Sequence, residues 1–307
     1  MTVIAFNKAI IIGWKGPPAH FCIMNTIVVL TDFSLSARNA ADFAVNIAAM
    51  SGANIILTNA FSERIKTDVD DPSFWPLETA LIHDDETLLQ LEAGRLKQHA
   101  GTLLSPAQEP TLSTLSFKGP LKACLTDLRK RYRIDLLVIG AGMHSDSNAR
   151  YTPSDIETVQ TLAQSPILIV PENYISDGLI KNICFVTDLS KSDLTLTAYV
   201  KRMAVKLKAH LFIGHISKPS FNMDANEEIS TAAFMTNLEH LGLDKHEFQN
   251  CYQDDIIAGI EEFCDNKRAD MLIMVHKKHS SLWTFFHQSI TSVIQRHQHI
   301  PLLLINE

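Results

Sequence analysis

The chain has 307 residues, of which 46% are hydrophobic and 20% charged, with a formal net charge of −7. This balance is typical of a globular protein long enough for two domains, and it excludes a surface that is basic all over and would attract nucleic acid or anionic membranes. The five cysteines are scattered without a CxxC pair, and no apolar run is long enough to cross a bilayer. These features argue against a disulfide framework, a zinc site and a membrane span, and favour a cytoplasmic location.

Strands and helices alternate in the first part of the sequence. The apolar residues 26–30 predict a buried strand, Ser34 is suited to cap a helix that reaches about Met50, and Gly52 is suited to end that helix. The pattern then predicts a strand over 54–60, a long helix over 77–104 with Leu81, Leu88, Leu91 and Leu96 on one side, a strand over 111–117, a helix over 120–132, and strands over 136–139 and 167–170.

The second part of the sequence predicts the same order of elements. Its strands fall at 183–186, 210–215, 247–252, 271–275 and 302–305, and its helices at 190–207, 226–241, 255–266 and 289–296. Strands separated by segments of helix length are typical of right-handed crossovers. We therefore expect an α/β fold with parallel sheets and helices on both faces.

Three strings of residues occur twice in this order. They are Thr31-Asp32-Phe33-Ser34 and Thr187-Asp188-Leu189-Ser190, then residues 135–140 and 270–275, then residues 165–170 and 300–305. A repeat of this length indicates a duplicated domain rather than a solenoid. We expect an N-terminal extension at 1–24, domain 1 at 25–171, a linker at 172–180 and domain 2 at 181–307.

With Thr31-Asp32-Phe33-Ser34, Val138-Ile139-Gly140-Ala141-Gly142 and residues 165–170, the chain resembles the universal stress protein family, in a tandem form with two such domains. The resemblance implies a five-stranded parallel sheet of order 3-2-1-4-5 in each domain, the adenine nucleotide alpha hydrolase-like fold. It also implies that the domains pair through their fifth strands, 167–170 and 302–305, about a pseudo-twofold axis. Some members of the family bind ATP and others do not.

The phosphate loop of ATP-binding members carries Gly, two residues, Gly, nine residues, Gly and then Ser or Thr. In domain 1 this frame falls on Gly140, Met143, Pro153 and Ser154. Met143 puts a long side chain where a phosphate should approach, and Pro153 has no N–H to donate. Gly142, one position early, could partly compensate. The resemblance therefore implies a degenerate nucleotide site in domain 1.

The same frame in domain 2 falls on Val275, Lys278, Gln288 and Ser289, so no glycine remains. Lys277 and Lys278 could attract an anion, but the glycine-lined cradle that lets backbone N–H groups approach phosphates is absent. We expect no nucleotide site in domain 2.

Two of the candidate residues also have structural explanations. Ser154 opens the string Ser154-Asp155-Ile156-Glu157, which fits a capping box, and we favour capping over phosphate contact. Asp32 and Asp188 follow the first strand of each domain, at the edge of an α/β sheet where ligands enter. In nucleotide-binding members the matching aspartate lies near the ribose; the alternative is that each aspartate helps to begin the following helix.

Histidines and aromatic residues cluster near the C-terminus. His276 and His279 have a spacing that a metal could use, but they fall in a predicted loop, and we favour a solvated, weakly basic loop without a metal. Trp283, Phe285 and Phe286 either form a contact surface or fill the vacated nucleotide pocket, and we favour the second.

We expect a non-enzymatic, cytoplasmic stress-response protein that acts by protein interaction or sensing, with no catalytic residues, no metal and no required cofactor. The alternative is a regulatory module that binds ATP or another adenine nucleotide in domain 1 through Asp32, Gly140, Gly142 and Ser154. A slow nucleotide hydrolase is a third hypothesis, for which the sequence offers no base to position water. The expected partner is an unidentified protein, with a homodimer left open, and neither nucleic acid nor membrane.

Overall fold

The computed structural model describes residues 24–61, 85–103, 110–141, 153–174, 178–219, 225–243, 247–276 and 300–306. We call residues 24–174 the first half and residues 178–306 the second half. The strands are β1 (Thr26–Leu30), β2 (Asn54–Phe61), β3 (Leu112–Lys118), β4 (Leu136–Ala141), β5 (Ile167–Pro171), β6 (Asn182–Thr187), β7 (His210–Ser217), β8 (Phe248–Tyr252), β9 (Met271–His276) and β10 (Leu302–Asn306). The helices are α1 (Leu35–Ser51), α2 (Asp85–Leu103), α3 (Leu121–Arg131), α4 (Pro153–Leu162), α5 (Lys191–Leu207), α6 (Ala225–His240) and α7 (Ile256–Lys267).

The ten strands form one sheet in the order β3-β2-β1-β4-β5-β10-β9-β6-β7-β8. The strands of each half are parallel to one another, and their order in each half is 3-2-1-4-5 when numbered within that half. This confirms the predicted fold class.

The two halves join through β5 and β10, which pair antiparallel. Leu168 lies opposite Leu303, and the neighbouring pairs Leu302–Ile169 and Leu304–Ile167 mirror each other about it, as a twofold axis requires. Pairing these two strands satisfies backbone groups that would otherwise form two open sheet edges. The predicted junction of fifth strands about a pseudo-twofold axis is therefore confirmed.

Helices cover both faces of the sheet and bury two hydrophobic layers. Side chains alternate between the faces along each strand, so Leu168 and Leu303 enter one layer while Ile169 and Leu302 enter the other. Each layer contains buried residues from both halves. The cores of the two halves are thus continuous across the β5–β10 junction.

The buried face of α2 differs from the predicted one. The prediction placed Leu91 on the apolar side, but this side chain is 58% exposed, whereas Leu89 and Leu96 are fully buried. The helix buries Leu89, Ala93, Leu96 and Ala100, a spacing of four, three and four residues that follows the helical period. The predicted helical residues 77–84, which include Leu81, lie outside the described residues.

The other predicted elements agree with the described ones to within about two residues at each end. Residues 1–23 of the predicted extension, the predicted helix over 289–296 and residues 175–177 of the predicted linker lie outside the described residues. Among the helices that the structure describes, none combines the length and the apolar character needed to cross a bilayer.

Candidate functional site

The turn after β1 is built by the first repeated string. The Thr31 hydroxyl oxygen accepts a hydrogen bond from the Phe33 N–H at 3.1 Å, and the Asp32 carboxylate accepts from the Ser34 N–H at 3.0 Å and the Ser34 hydroxyl at 2.5 Å. These bonds hold Phe33 in the left-handed region, at φ 66°. Ser34 Oγ then accepts the Ala37 N–H at 3.3 Å and caps α1, as predicted.

The second string builds the same turn after β6. Thr187 Oγ1 accepts the Leu189 N–H at 2.9 Å, Asp188 accepts the Ser190 N–H at 3.1 Å, and Leu189 has φ 60°. Ser190 caps α5 by accepting the Asp193 N–H at 3.5 Å. Each aspartate therefore has a structural role in the turn, so its presence is explained without a ribose.

A side chain from the neighbouring strand holds each turn. The Asn59 amide on β2 donates to the Thr31 carbonyl at 2.6 Å, and Nδ1 of His215 on β7 lies 2.8 Å from the Thr187 carbonyl, which can only accept. The sequence reasoning missed both residues. The available signal was positional, since each is the sixth residue of the second strand in its half.

The second turn carries an additional carboxylate, Asp193, that has no counterpart in the first turn. Asp193 is 1% exposed and accepts the Thr187 hydroxyl at 2.6 Å and the Asp188 N–H at 3.0 Å. The equivalent residue of α1 is Ala37, and the first turn of α1 contains no acidic residue. The sequence reasoning also missed Asp193, although it stands three residues after the capping serine, as a capping box requires.

Gly140 on β4 lies against the backbone at the start of α1. A Cβ built on this glycine would stand 2.3 Å from the carbonyl carbon of Ser36 and 2.6 Å from the Ala37 nitrogen. Close packing of a helix on a strand therefore explains the glycine, independently of any phosphate. Val275 occupies the equivalent position on β9 and is partly buried.

The fold brings some of the predicted site residues to one edge. β1 and β4 are neighbours, with Leu30 beside Ile139, so Asp32 and Gly140 lie at the same carboxyl-terminal edge of the sheet. The helix α4 begins at Pro153, a favourable residue for a first helical position. Ser154 follows as the second helical residue, so it does not stand at the N-cap that the predicted capping box requires. Gly142 and Met143 lie outside the described residues, and nothing is described of the Ser154 side chain.

The described cysteines are buried or partly buried thiols rather than reactive groups. Cys124 and Cys264 are buried in the core, as predicted. Burial raises the pKa of Cys124 to about 11, although a contact with Thr58 opposes the shift. A hydrogen bond to Cys184, together with burial, raises the pKa of Cys264. Both thiols therefore stay protonated near neutral pH and are poor nucleophiles.

The histidine and aromatic cluster is only partly described. His276 ends β9, while His279, Trp283, Phe285, Phe286 and the lysines at 277 and 278 lie outside the described residues. Within the described ranges, no group of three histidine, cysteine or acidic side chains is arranged to hold a metal ion.

Comparison with known proteins gives the same picture as the topology. The model of the Universal stress protein family matches residues 24–171. A functionally unknown protein from Pseudomonas aeruginosa has 13% identity and a TM-score of 0.62, with 93% of this chain and 94% of that chain covered. A universal stress protein from Archaeoglobus fulgidus has 12% identity and the same TM-score, with 93% and 97% covered. At these identities the likeness concerns the fold.

No curated protein matches the sequence. The family match spans the first half, and the second half repeats its strand order and its turn chemistry. Residues 24–171 therefore form a domain of the universal stress protein family, and the chain as a whole fits a tandem form of it.

Proposed function

We propose that the protein is a non-enzymatic stress-response protein that acts by protein interaction or sensing. In this proposal residues 25–171 form domain 1, residues 172–180 a linker, and residues 181–307 domain 2. Domain 1 carries a degenerate nucleotide site, domain 2 carries none, and no cofactor is required. The partner is an unidentified protein, and a further homodimer is compatible with the position of β3 and β8 as the outer strands of the described sheet.

The packing around Gly140 carries the proposal for domain 1. This glycine is the first residue of the family's phosphate frame, and the space that its missing Cβ leaves is filled by the backbone of Ser36 and Ala37. The residue is therefore required for helix packing, and its presence is weak support for a phosphate cradle. Met143 and Pro153 replace the other two glycines of the frame.

Two features support the absence of a nucleotide in domain 2. Val275 places a side chain where the frame needs a glycine. Asp193 adds a buried negative charge in the first turn of α5, at the carboxyl-terminal edge of the sheet. A helix N-terminus attracts phosphate through its positive end, and a carboxylate at that position opposes the attraction.

The hydrogen bonds of the turns support a non-enzymatic role. Carboxylate oxygens of Asp32, Asp188 and Asp193 accept hydrogen bonds that build and cap the turns. A general base must instead reach the proton of a water or substrate at the site. These three carboxylates are the acidic groups that the described turns place at this edge, and each serves the backbone.

The rival function is ATP or adenine-nucleotide binding in domain 1, through Asp32, Gly140, Gly142 and Ser154. One observation favours it: α4, which begins at Pro153, is the next described element after β4. Because α4 returns the chain from the carboxyl-terminal edge, its N-terminus lies at the same edge as Asp32 and Gly140, where a phosphate would bind.

Isothermal titration of ATP, with and without magnesium, into protein freed of carried-over nucleotide tests both functions. We expect no saturable heat at micromolar ATP and no rise in melting temperature. The matched variant Met143→Gly/Pro153→Gly restores the family frame in domain 1 and should gain measurable binding. Saturation of the unmodified protein near one equivalent would overturn the proposal, and loss of that binding in Ser154→Ala would support the rival site.

A further inference from the structure

A cleft of about 610 Å³ opens at the amino-terminal ends of β4 and β5. Its wall contains the end of α3 and the segments that enter the two strands, among them Ile134 and Ser165. This volume is within the range that small-molecule sites occupy. The cleft lies at the opposite edge of the sheet from Asp32 and Gly140, so it is separate from the proposed nucleotide site.

The cleft is lined by three cationic side chains, Arg129, Lys130 and Arg133. One of the three is paired with a carboxylate, since Arg133 Nε lies 3.3 Å from Asp135 Oδ1. The nearby Arg131 pairs with Asp127 at 2.9 Å, so these two charges cancel. About two positive charges therefore remain, in a protein whose net charge is −7.

Hydrogen bonds from side chains to backbone carbonyls hold the wall of the cleft in place. Arg129 donates from a terminal nitrogen to the Leu162 carbonyl at 2.8 Å, which ties the end of α3 to the end of α4. Ser165 Oγ donates to the Ile134 carbonyl at 2.6 Å, which ties the entries of β5 and β4 together. A site whose walls are already ordered loses less entropy on binding.

The second half shows that the fold does not require two of these cations. The residues of α7 equivalent to Arg129 and Lys130 are Cys264 and Asp265. Lys267, equivalent to Tyr132, instead lies over the Phe212 ring at 5.2 Å from its centroid. Arg133, by contrast, is matched by Arg268, so the cations at 129 and 130 are particular to the first half and the third is shared.

We propose that this cleft binds a small phosphorylated molecule that carries at least two negative charges. Lys130 and Arg133 contact the phosphate oxygens, with Arg129 fixed beside them, and Tyr132 and Gln164 contact the organic part. Guanidinium and ammonium groups suit phosphate because each donates charge-assisted hydrogen bonds to several oxygens. The phenol ring of Tyr132, which is exposed, offers a flat apolar surface at the same opening.

Titration with inorganic pyrophosphate tests the charged part of the site in the full-length protein. We expect one equivalent of pyrophosphate to bind saturably, as measured by calorimetry. Backbone NMR signals of residues 129–134 and 164–165 should shift during the titration. Lys130→Gln should weaken binding roughly three- to tenfold, the loss of one charge-assisted contact.

Lys122→Gln is the matched control, because Lys122 is an exposed lysine on the same helix and does not line the cleft. It removes the same charge and should change the affinity by less than about twofold, since distant exposed charges are screened. Equal weakening by the two variants, no saturation at millimolar pyrophosphate, or signal shifts at 31–37 instead of the cleft would each overturn the assignment. Melting curves of both variants confirm that they fold.

Discussion

The turn after β1 and the turn after β6 share one backbone conformation but are supported in different ways. In both, a threonine and an aspartate hold a left-handed residue, and a serine caps the helix that follows. In the first half the helix start packs directly on Gly140. In the second half Asp193 ties the turn together from within the helix. The duplicated chain has thus kept the geometry and changed the interactions that stabilise it.

This difference predicts that the two halves respond to different substitutions. A closely packed contact is destabilised when atoms are added to it. A turn held by a buried carboxylate is destabilised when the acceptor oxygens of that carboxylate are removed. Three substitutions test the comparison: two have a counterpart in the other half, and one has a control at an exposed site.

Gly140→Ala should have the largest effect, because its Cβ would lie 2.3 Å from a backbone carbon of α1. The helix start must move away from β4, and we expect a loss of about 3 kcal/mol in the free energy of unfolding, measured by urea denaturation. The counterpart Val275→Ala removes atoms from a partly buried site and should lose only about 1 kcal/mol. Equal losses in the two variants would contradict the packing difference.

Asp193→Ala gives the second half the residue that the first half has at this position. It leaves the buried Thr187 hydroxyl and the Asp188 N–H without the carboxylate that accepts their hydrogen bonds. We expect a loss of about 2 kcal/mol in the free energy of unfolding. Glu239→Ala, at an exposed site on α6, is the control and should change stability by less than about 0.5 kcal/mol. A stability change no larger than that of the control would show that Asp193 does not support the turn.

Lys208→Gly should have the smallest effect and the opposite sign. Gly52 ends α1 at φ 70°, and Lys208 ends α5 in the same left-handed region, at φ 54°. A glycine adopts this conformation without the steric cost that a Cβ brings, so Lys208→Gly should stabilise the protein by about 1 kcal/mol. The reverse change, Gly52→Lys, should destabilise it by a similar amount. Thermal melts of the two variants should therefore shift in opposite directions.

Much of the fold could be predicted because the residues of the repeated strings make the same structural contacts in both halves. The recurring aspartates show this: Asp135 accepts the N–H groups of Asn25 and Thr26 at 2.9 and 3.1 Å. Asp270 does the same for Lys181 and Asn182, at 2.7 and 2.8 Å. Each aspartate holds the start of the first strand beside the fourth, so its recurrence reflects a contact that both halves need.

The missed features depend on tertiary proximity. Asn59 and His215 act on carbonyl groups of a neighbouring strand, and the role of Gly140 depends on where α1 crosses β4. On α2, leucines stand at 88, 89 and 91, so the apolar pattern alone did not select the buried face. Packing against the rest of the protein buries Leu89 and leaves Leu91 exposed.

The β5–β10 junction joins two similar halves within one chain. Without the duplication, two identical subunits would have to associate to form the same sheet. An assembly of separate copies dissociates on dilution, but this pairing does not depend on protein concentration. In a symmetric dimer every substitution also appears at both sites. Here a substitution appears in one half alone, so one site can lose a ligand or gain another while its twin is unchanged. The different residues at 37 and 193, and at 140 and 275, are divergences that a symmetric pair could not have acquired separately.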